Sequence, residues 1–301
     1  MKQTVMGAFR RLRNIIRTRQ IGEDVLLSRN EKVFFLLDKA GQGLEIGPSH
    51  NPIAPKREGF RVHILDHLDS DGLRKKYSIH GVNIDAIEEV DFVWQGEKLS
   101  ELIGSVDCYD WIIASHVIEH YPDVVSFLQE CEKLLKPMGI LSLVVPDKRA
   151  CFDYFSPVSS TGEILDSYFQ RRTRPSPGQV FNHFANASKK NGAIAWSLTT
   201  DSPNDLVHEF QQTLGLLERA KTTEDYIDVH CWRFTPQVFS NLLADLNNIG
   251  VVGLSLVKAF PTNGCEFYVS LQKVDNSPDV RSQESRAVRL MRLRSTCKEI
   301  L

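Results

Sequence analysis

The strongest constraint in this sequence is an alternation. Between about residues 40 and 146, short apolar runs are separated by stretches with helical periodicity. Such a chain folds as α/β, with crossover helices covering a largely parallel sheet. Strand candidates are Leu44–Ile46, Arg61–Leu65, Phe92–Trp94, Trp111–Ala114 and Ile140–Val145. Helix candidates are Ser70–Ile79, Lys98–Ile103 and Val124–Leu135, the last ended by Lys136-Pro-Met-Gly139. After Val145 the alternation breaks. Residues 147–230 are polar and interrupted by Pro157, Pro175, Pro177 and Pro203, with helical patches near 161–171 and 204–220. It resumes with a helix over about 236–248 and two strands, Val251–Phe260 and Glu266–Lys273, joined by Pro261-Thr-Asn-Gly264. An Asn-Gly turn between β-rich runs is a hairpin signal. The expected fold is a Rossmann-like sheet with a terminal antiparallel hairpin strand and a mostly helical insertion after the fifth strand. The expected organisation is a basic amphipathic helix (1–31), a cofactor-binding part (32–146), an insertion forming a substrate cap (147–230), a helix and hairpin completing the sheet (231–274), and a basic tail (275–301).

Charge and cysteine usage narrow the classes further. Residues 1–20 carry six basic and no acidic side chains, and residues 281–301 carry six basic against two acidic. With a net charge of −2 for the whole chain, the body between them stands at −12. A body that acidic argues against a nucleic-acid groove, which needs clustered Lys and Arg. Val5, Met6, Phe9, Leu12, Ile15 and Ile16 fall at helical spacing among the N-terminal arginines. Such a helix can lie peripherally on an anionic membrane surface or dock on its own domain. No apolar run reaches the roughly 18 residues of a membrane span, and no secretory signal opens the chain. The six cysteines lie far apart without a C-x-x-C pair, as expected for reduced thiols in the cytoplasm.

In an open α/β sheet, ligands sit at the carboxyl ends of the strands. Leu44-Glu-Ile-Gly-Pro48 follows the first strand, and Gly47 lets backbone approach a ligand closely. The second and third glycines of G-x-G-x-x-G are absent. Only Gly47 to Phe60 separates the first two strands, with three prolines inside, so no full helix fits to cradle a pyrophosphate. That argues against a nicotinamide dinucleotide and permits a ligand without phosphate. Asp66 ends the second strand, where a carboxylate accepts from ribose hydroxyls, and Gln95, Gly96 and Glu97 follow the third, able to read an adenine edge.

Taken in order, Leu44-Glu-Ile-Gly-Pro48, Asp66, Gln95-Gly-Glu97, Tyr109-Asp-Trp-Ile-Ile-Ala-Ser-His-Val-Ile-Glu-His120 and Leu134-Leu-Lys-Pro-Met-Gly139 resemble the motifs of class I S-adenosylmethionine-dependent methyltransferases. The resemblance covers about residues 40–146 and, more weakly, Val229-His-Cys-Trp-Arg-Phe-Thr-Pro236 and the last hairpin. It implies S-adenosyl-L-methionine as cofactor. Glu45, Gly47 and Pro48 would line its methionine part, Asp66 its ribose, and Gln95, Gly96 and Glu97 its adenine, with Ser115 and His116 beneath the sulfur. The sequence departs from the family's G-x-G-x-G in having Pro48-Ser49 after the single glycine. The insertion looks like a branch associated with bacterial surface-polysaccharide genes, which implies polysaccharide biosynthesis and a sugar, glycan-precursor or other small polar acceptor.

His116-Val-Ile-Glu-His120 also matches the H-x-x-E-H of inverted zinc peptidases. That chemistry needs both histidines on one helix face, whereas His116 follows a strand and Pro122 comes two residues after His120. No metal is expected. For O-methylation the base candidates are His116, Asp147, His183 and His230, and His120 is expected to cap the following helix. Insertion aromatics such as Phe152, Tyr154 and Phe169, with Asp153, Arg171, Arg172 and Arg174, are candidates for holding the acceptor. The competing readings are a catalytically inactive binding or scaffold protein of the same fold and a different nucleotide-using enzyme.

Overall fold

The computed structural model describes residues 27–198, 201–273 and 284–296. Most of the expected N-terminal helix, with its membrane contact, lies outside the described residues, as does the linker at 275–283.

Seven strands form one sheet: β1 (Gly43–Ile46), β2 (Val62–Asp66), β3 (Phe92–Val93), β4 (Tyr109–Ser115), β5 (Leu135–Pro146), β8 (Leu254–Asn263) and β9 (Glu266–Lys273). Their order is β3-β2-β1-β4-β5-β9-β8. The first five run parallel, and β9 pairs antiparallel with both β5 and β8. This is the Rossmann-like sheet with a terminal hairpin that the alternation predicts. Both sheet faces are covered. Ile112 and Ala114 face one apolar cluster with Phe127, Leu128, Phe239 and Leu242; Trp111 and Ile113 face the other with Val33, Val62, Ile64 and Phe260. The period-2 alternation of β4 therefore serves two cores. Gly43 is fixed by this packing, since a Cβ there would meet the Trp111 ring at 2.1 Å.

Helix α1 (Arg29–Val33) precedes β1, α2 (Ser70–Tyr77) follows β2, and α3 (Leu99–Ile103) follows β3. Helix α4 (Val124–Leu134) links β4 to β5, and α8 (Pro236–Asn248) precedes the hairpin. Asp123, not His120, caps α4: its carboxylate accepts the Ser126 N–H at 3.0 Å. The Lys136-Pro-Met-Gly139 stretch ends the helix but does not separate it from the strand. β5 starts at Leu135, opposite Tyr109, and a register shift between Tyr109 and Trp111 absorbs the extra residues. A bulge tolerates Pro137, which has no N–H for the ladder.

The insertion contains α5 (Thr161–Phe169), α6 (Pro177–Asn186), the short antiparallel pair β6 (Ser188–Lys189) and β7 (Asp205–Leu206), and α7 (Phe210–Thr222). The sequence reading takes Pro175 and Pro177 as breakers and misses α6. Pro177 instead occupies the helix start, with a Ser176/Gln179 capping box before it, where its missing N–H costs nothing. Residues 204–209, read as helix, go to β7 and its exit turn. Helix α9 (Arg286–Thr296) packs on α8, where Asp245 receives Arg286 and Arg289.

Candidate active site

β1 has β2 on one side and β4 on the other, so the strand order reverses beside it and opens a crevice at the strand ends. Gly47 turns the chain there at φ +64°, donating its N–H to the Leu65 carbonyl at 2.7 Å. A Cβ on it would meet Val117 Cγ2 at 3.0 Å, so the position needs glycine for both conformation and space. Pro48 is buried behind it, and Ser49 donates its N–H to Asp66 Oδ2 at 2.9 Å. Asp66 is 1% exposed, and its Oδ1 accepts the His67 N–H at 2.8 Å and meets His67 Nδ1 at 2.6 Å. Three of a carboxylate's roughly four acceptor positions are thus taken, leaving one for a ligand hydroxyl.

Glu45 does not present a free charge. It is 1% exposed and accepts the N–H groups of Ile53 and Ala54 at 2.7 and 3.0 Å. Burial raises its pKa to about 7, against the pull of those two hydrogen bonds. Its role is to fold the loop after Gly47 back onto the sheet. Beyond β3, Gln95 and Gly96 are exposed, and the Gln95 N–H reaches Glu97 Oε2 at 2.8 Å. The Trp94 indole N–H is held by the Glu97 carbonyl at 2.6 Å, and its ring stacks on Tyr121 with centroids 5.1 Å apart. An open backbone at Gly47, one free acceptor at Asp66 and a polar turn at 95–97 fit the nucleoside cofactor that the resemblance implies.

His116 leaves β4 at φ +55°, an uncommon conformation for a residue with a side chain. Its Nε2 lies 2.8 Å from Glu266 Oε2, and its Nδ1 lies 3.6 Å from Glu119 Oε1. The other Glu266 oxygen accepts Arg29 Nε and the Tyr268 hydroxyl, both at 2.8 Å. Arg29 also donates to the Ser115 hydroxyl at 3.1 Å, so α1 reaches over the end of β4. Burial works against charge on His116, but the bond to Glu266 and the charge of Glu119 outweigh it and raise its pKa. Burial likewise opposes charge on Glu266, yet its bonds to His116 and Arg29 bring it down to about 2.

The remaining base candidates separate. Asp147 is fully buried, and its carboxylate is filled by the Arg149 backbone and guanidinium and by the Thr262 hydroxyl. It ties β5 to the hairpin and has no oxygen to offer a substrate. His183 accepts the His230 N–H on Nδ1 at 3.1 Å, and burial with the nearby His230 pushes its pKa to about 3. That nitrogen is not available as a base. His230 comes to the turn after β4 because the returning chain clamps it: Cys231 and Trp232 donate N–H to the Glu119 carbonyl, and the Tyr226 hydroxyl donates to the His120 carbonyl. His230 Nδ1 meets Asp153 Oδ2 at 2.5 Å, and Arg233 Nε holds the other oxygen at 3.2 Å. Asp153 is thereby a structural partner and is not free to hold an acceptor. His120 pairs through Nδ1 with Asp228 at 2.8 Å.

Sequence reasoning missed Glu266, Arg29 and the proximity of Glu119 to His230. Glu266 could have been found from the hairpin: it opens β9 opposite Pro146, at the carboxyl end of β5. No spacing marks Arg29.

A methyltransferase-domain family model matches residues 85–143, from before β3 through most of β5 and including the His116–His120 turn. No curated protein matches the chain. Among solved structures, the CurJ carbon methyltransferase is 12% identical at a TM-score of 0.38, with 80% of this chain and 50% of that one covered. This chain thus spans about half the length of that protein. A chain named for zinc-dependent alcohol dehydrogenases, from Rhodobacter sphaeroides, is 15% identical at 0.43, covering 82% and 90%. A SAM-dependent methyltransferase from Aquifex aeolicus is 13% identical at 0.36, covering 85% and 98%. The domain match covers the 95–97 turn and the turn after β4 but not the Gly47 loop or Asp66, and over residues 85–143 the chain is similar to the methyltransferase-domain family.

Proposed function

We propose that the protein methylates an oxygen of a small polar acceptor, a sugar or glycan precursor. The observation that carries this reading is His116, held at the crevice by Glu266 with its Nδ1 turned toward Glu119. A hydroxyl acceptor must lose a proton as its oxygen is alkylated, and an anchored imidazole meets that need. The cofactor supplies a methyl group that is already activated, so the chain has to align the acceptor, exclude water and take the proton. With Nε2–H donated to Glu266, Nδ1 is the nitrogen that receives it. Glu266 then stabilises the imidazolium, and the buried Glu119 carboxylate faces the new Nδ1–H. Asp66 and the Gly47 turn hold the nucleoside, and Arg29 fixes Ser115 beside His116.

An open cavity of about 470 Å³ between the 94–98 turn, the start of α4 and the end of α5 lies beside the adenine turn and away from His116, and it supports a place for the sugar or phosphate part of an acceptor rather than for the methylated oxygen. Trp94, Tyr121, Tyr168 and Phe169 line it together with Arg171 and Arg172. Aromatic faces stack on pyranose rings, and arginine pairs with the phosphates of an activated sugar. The test is transfer of tritiated methyl from labelled S-adenosylmethionine to a panel of sugar nucleotides and cell-envelope precursors. Label in an O-methyl sugar is the expected result; label confined to amines, carbon or protein would replace the acceptor class.

A further inference from the structure

Glu119 is a buried carboxyl group without a hydrogen bond. It is 0% exposed, and neither carboxylate oxygen has a hydrogen-bond partner. Its backbone carbonyl, by contrast, accepts the N–H groups of Cys231 and Trp232, just after the insertion, so the residue is held firmly in place. Leaving a buried carboxylate unpaired costs several kcal/mol, and folded chains compensate such groups with a proton donor or a cation. Two imidazoles stand near it at distances too long for hydrogen bonds. His116 Nδ1 is 3.6 Å and His230 Nε2 is 3.9 Å from Oε1.

Ligand atoms of Glu119, His120 and His230 all lie within 4.8 Å of one another. Around a tetrahedral ion with bonds of about 2.0–2.1 Å, neighbouring ligand atoms stand roughly 3.3–3.5 Å apart, slightly less than the separation found between Glu119 and His230. The outer contacts also match what a metal site requires. His230 uses Nδ1 on Asp153, which leaves Nε2 as the nitrogen facing Glu119, and His120 uses Nδ1 on Asp228. A carboxylate on the far nitrogen fixes the tautomer and orientation of a ligating histidine.

We propose that Glu119, His120 and His230 bind one divalent first-row transition-metal ion, of the zinc class, between the turn after β4 and the returning end of the insertion. Two imidazoles and one carboxylate suit zinc and its neighbours and not magnesium or calcium, which take oxygen ligands. Three protein ligands leave a coordination position open, as in catalytic sites and unlike closed structural ones. Only Glu119 and His120 of the H-x-x-E-H stretch take part, and the third ligand comes from the insertion. The site is therefore not that of an inverted zinc peptidase. The binding of the ion is measured without cofactor or acceptor and stands apart from the methyl-transfer reading above.

The test uses the full chain, stripped with a chelator and titrated with Co²⁺ and then Zn²⁺. The expected result is one Co²⁺ per chain with visible d–d absorption, displaced stoichiometrically by Zn²⁺. His120→Ala changes a partly exposed side chain, and it should weaken binding at least 100-fold with the circular dichroism spectrum kept. Glu119→Gln should do the same and serves as the second variant. A wild-type protein showing no stoichiometric displaceable Co²⁺ would overturn the proposal. So would two folded variants that bind like the wild type, which would place the ion elsewhere on the chain.

Discussion

His116 occupies a backbone conformation that side chains rarely adopt, and two carboxylates raise its pKa from either side of the ring. For the base proposed here, the neutral form must be populated for turnover. The sign is fixed: a raised pKa puts the acid limb of the rate above the ordinary histidine value of about 6.5, with activity falling as pH drops through it. Glu266→Gln keeps an acceptor for Nε2–H but removes the charge, so the limb of kcat should move to lower pH. An unmoved limb would separate His116 from the titration. Asp153 behaves oppositely. Burial favours its neutral form, but His230 and Arg233 hold its pKa at about 2. Because that lies below the unfolded value, the stabilisation is present above about pH 4 and is lost as pH falls toward 2. Asp153→Asn should cost on the order of 2 kcal/mol at neutral pH, with the gap to wild type closing in acid. Urea titrations across that range measure it, and a gap independent of pH would show that the charge of Asp153 is not what matters.

At the level of elements, the crevice depends on two strand ends tied together: the Gly47 turn donates to the Leu65 carbonyl and Ser49 donates to Asp66. Asp66→Ala should weaken S-adenosylmethionine binding by about 1.5–3 kcal/mol, through the lost hydroxyl acceptor and the loosened turn. Calorimetry giving the wild-type affinity would remove Asp66 from the site. These strand ends are legible in the sequence because each element carries its own local signal. Apolar runs mark β1, β2 and β4, Asn-Gly marks the hairpin, and Pro236 with Thr235 marks the start of α8. Where two local signals compete, reading fails. Pro177 breaks a pattern or starts a helix depending on whether Ser176 and Gln179 close a capping box around it. Pro137 halts α4, yet a bulge carries it into β5. The pairing of Glu119 with His230 has no local signal at all. It follows from backbone bonds between Glu119 and Cys231 across more than 100 residues of chain.

On the scale of the whole molecule, the parallel sheet forms the crevice at its strand ends, while the surroundings of His116 and Glu119 are assembled from distant segments. Arg29 arrives from α1, Glu266 from the terminal hairpin, and His230 from the end of the insertion. No helix of the described residues is long and apolar enough to cross a membrane. In the proposed function the strand ends at Gly47 and Asp66 hold the nucleoside, and His116 at the end of β4, anchored by Glu266 of the hairpin, takes the proton, so the two should be separable by substitution. The most direct test is a comparison of wild type and His116→Ala in cofactor affinity and in single-turnover methyl transfer to an acceptor hydroxyl. His116→Ala should bind S-adenosylmethionine within about 1 kcal/mol of wild type while its transfer rate falls about 100- to 10,000-fold, the range for losing a general base. A transfer rate equal to wild type across the histidine pH range, on the same acceptor, would contradict it.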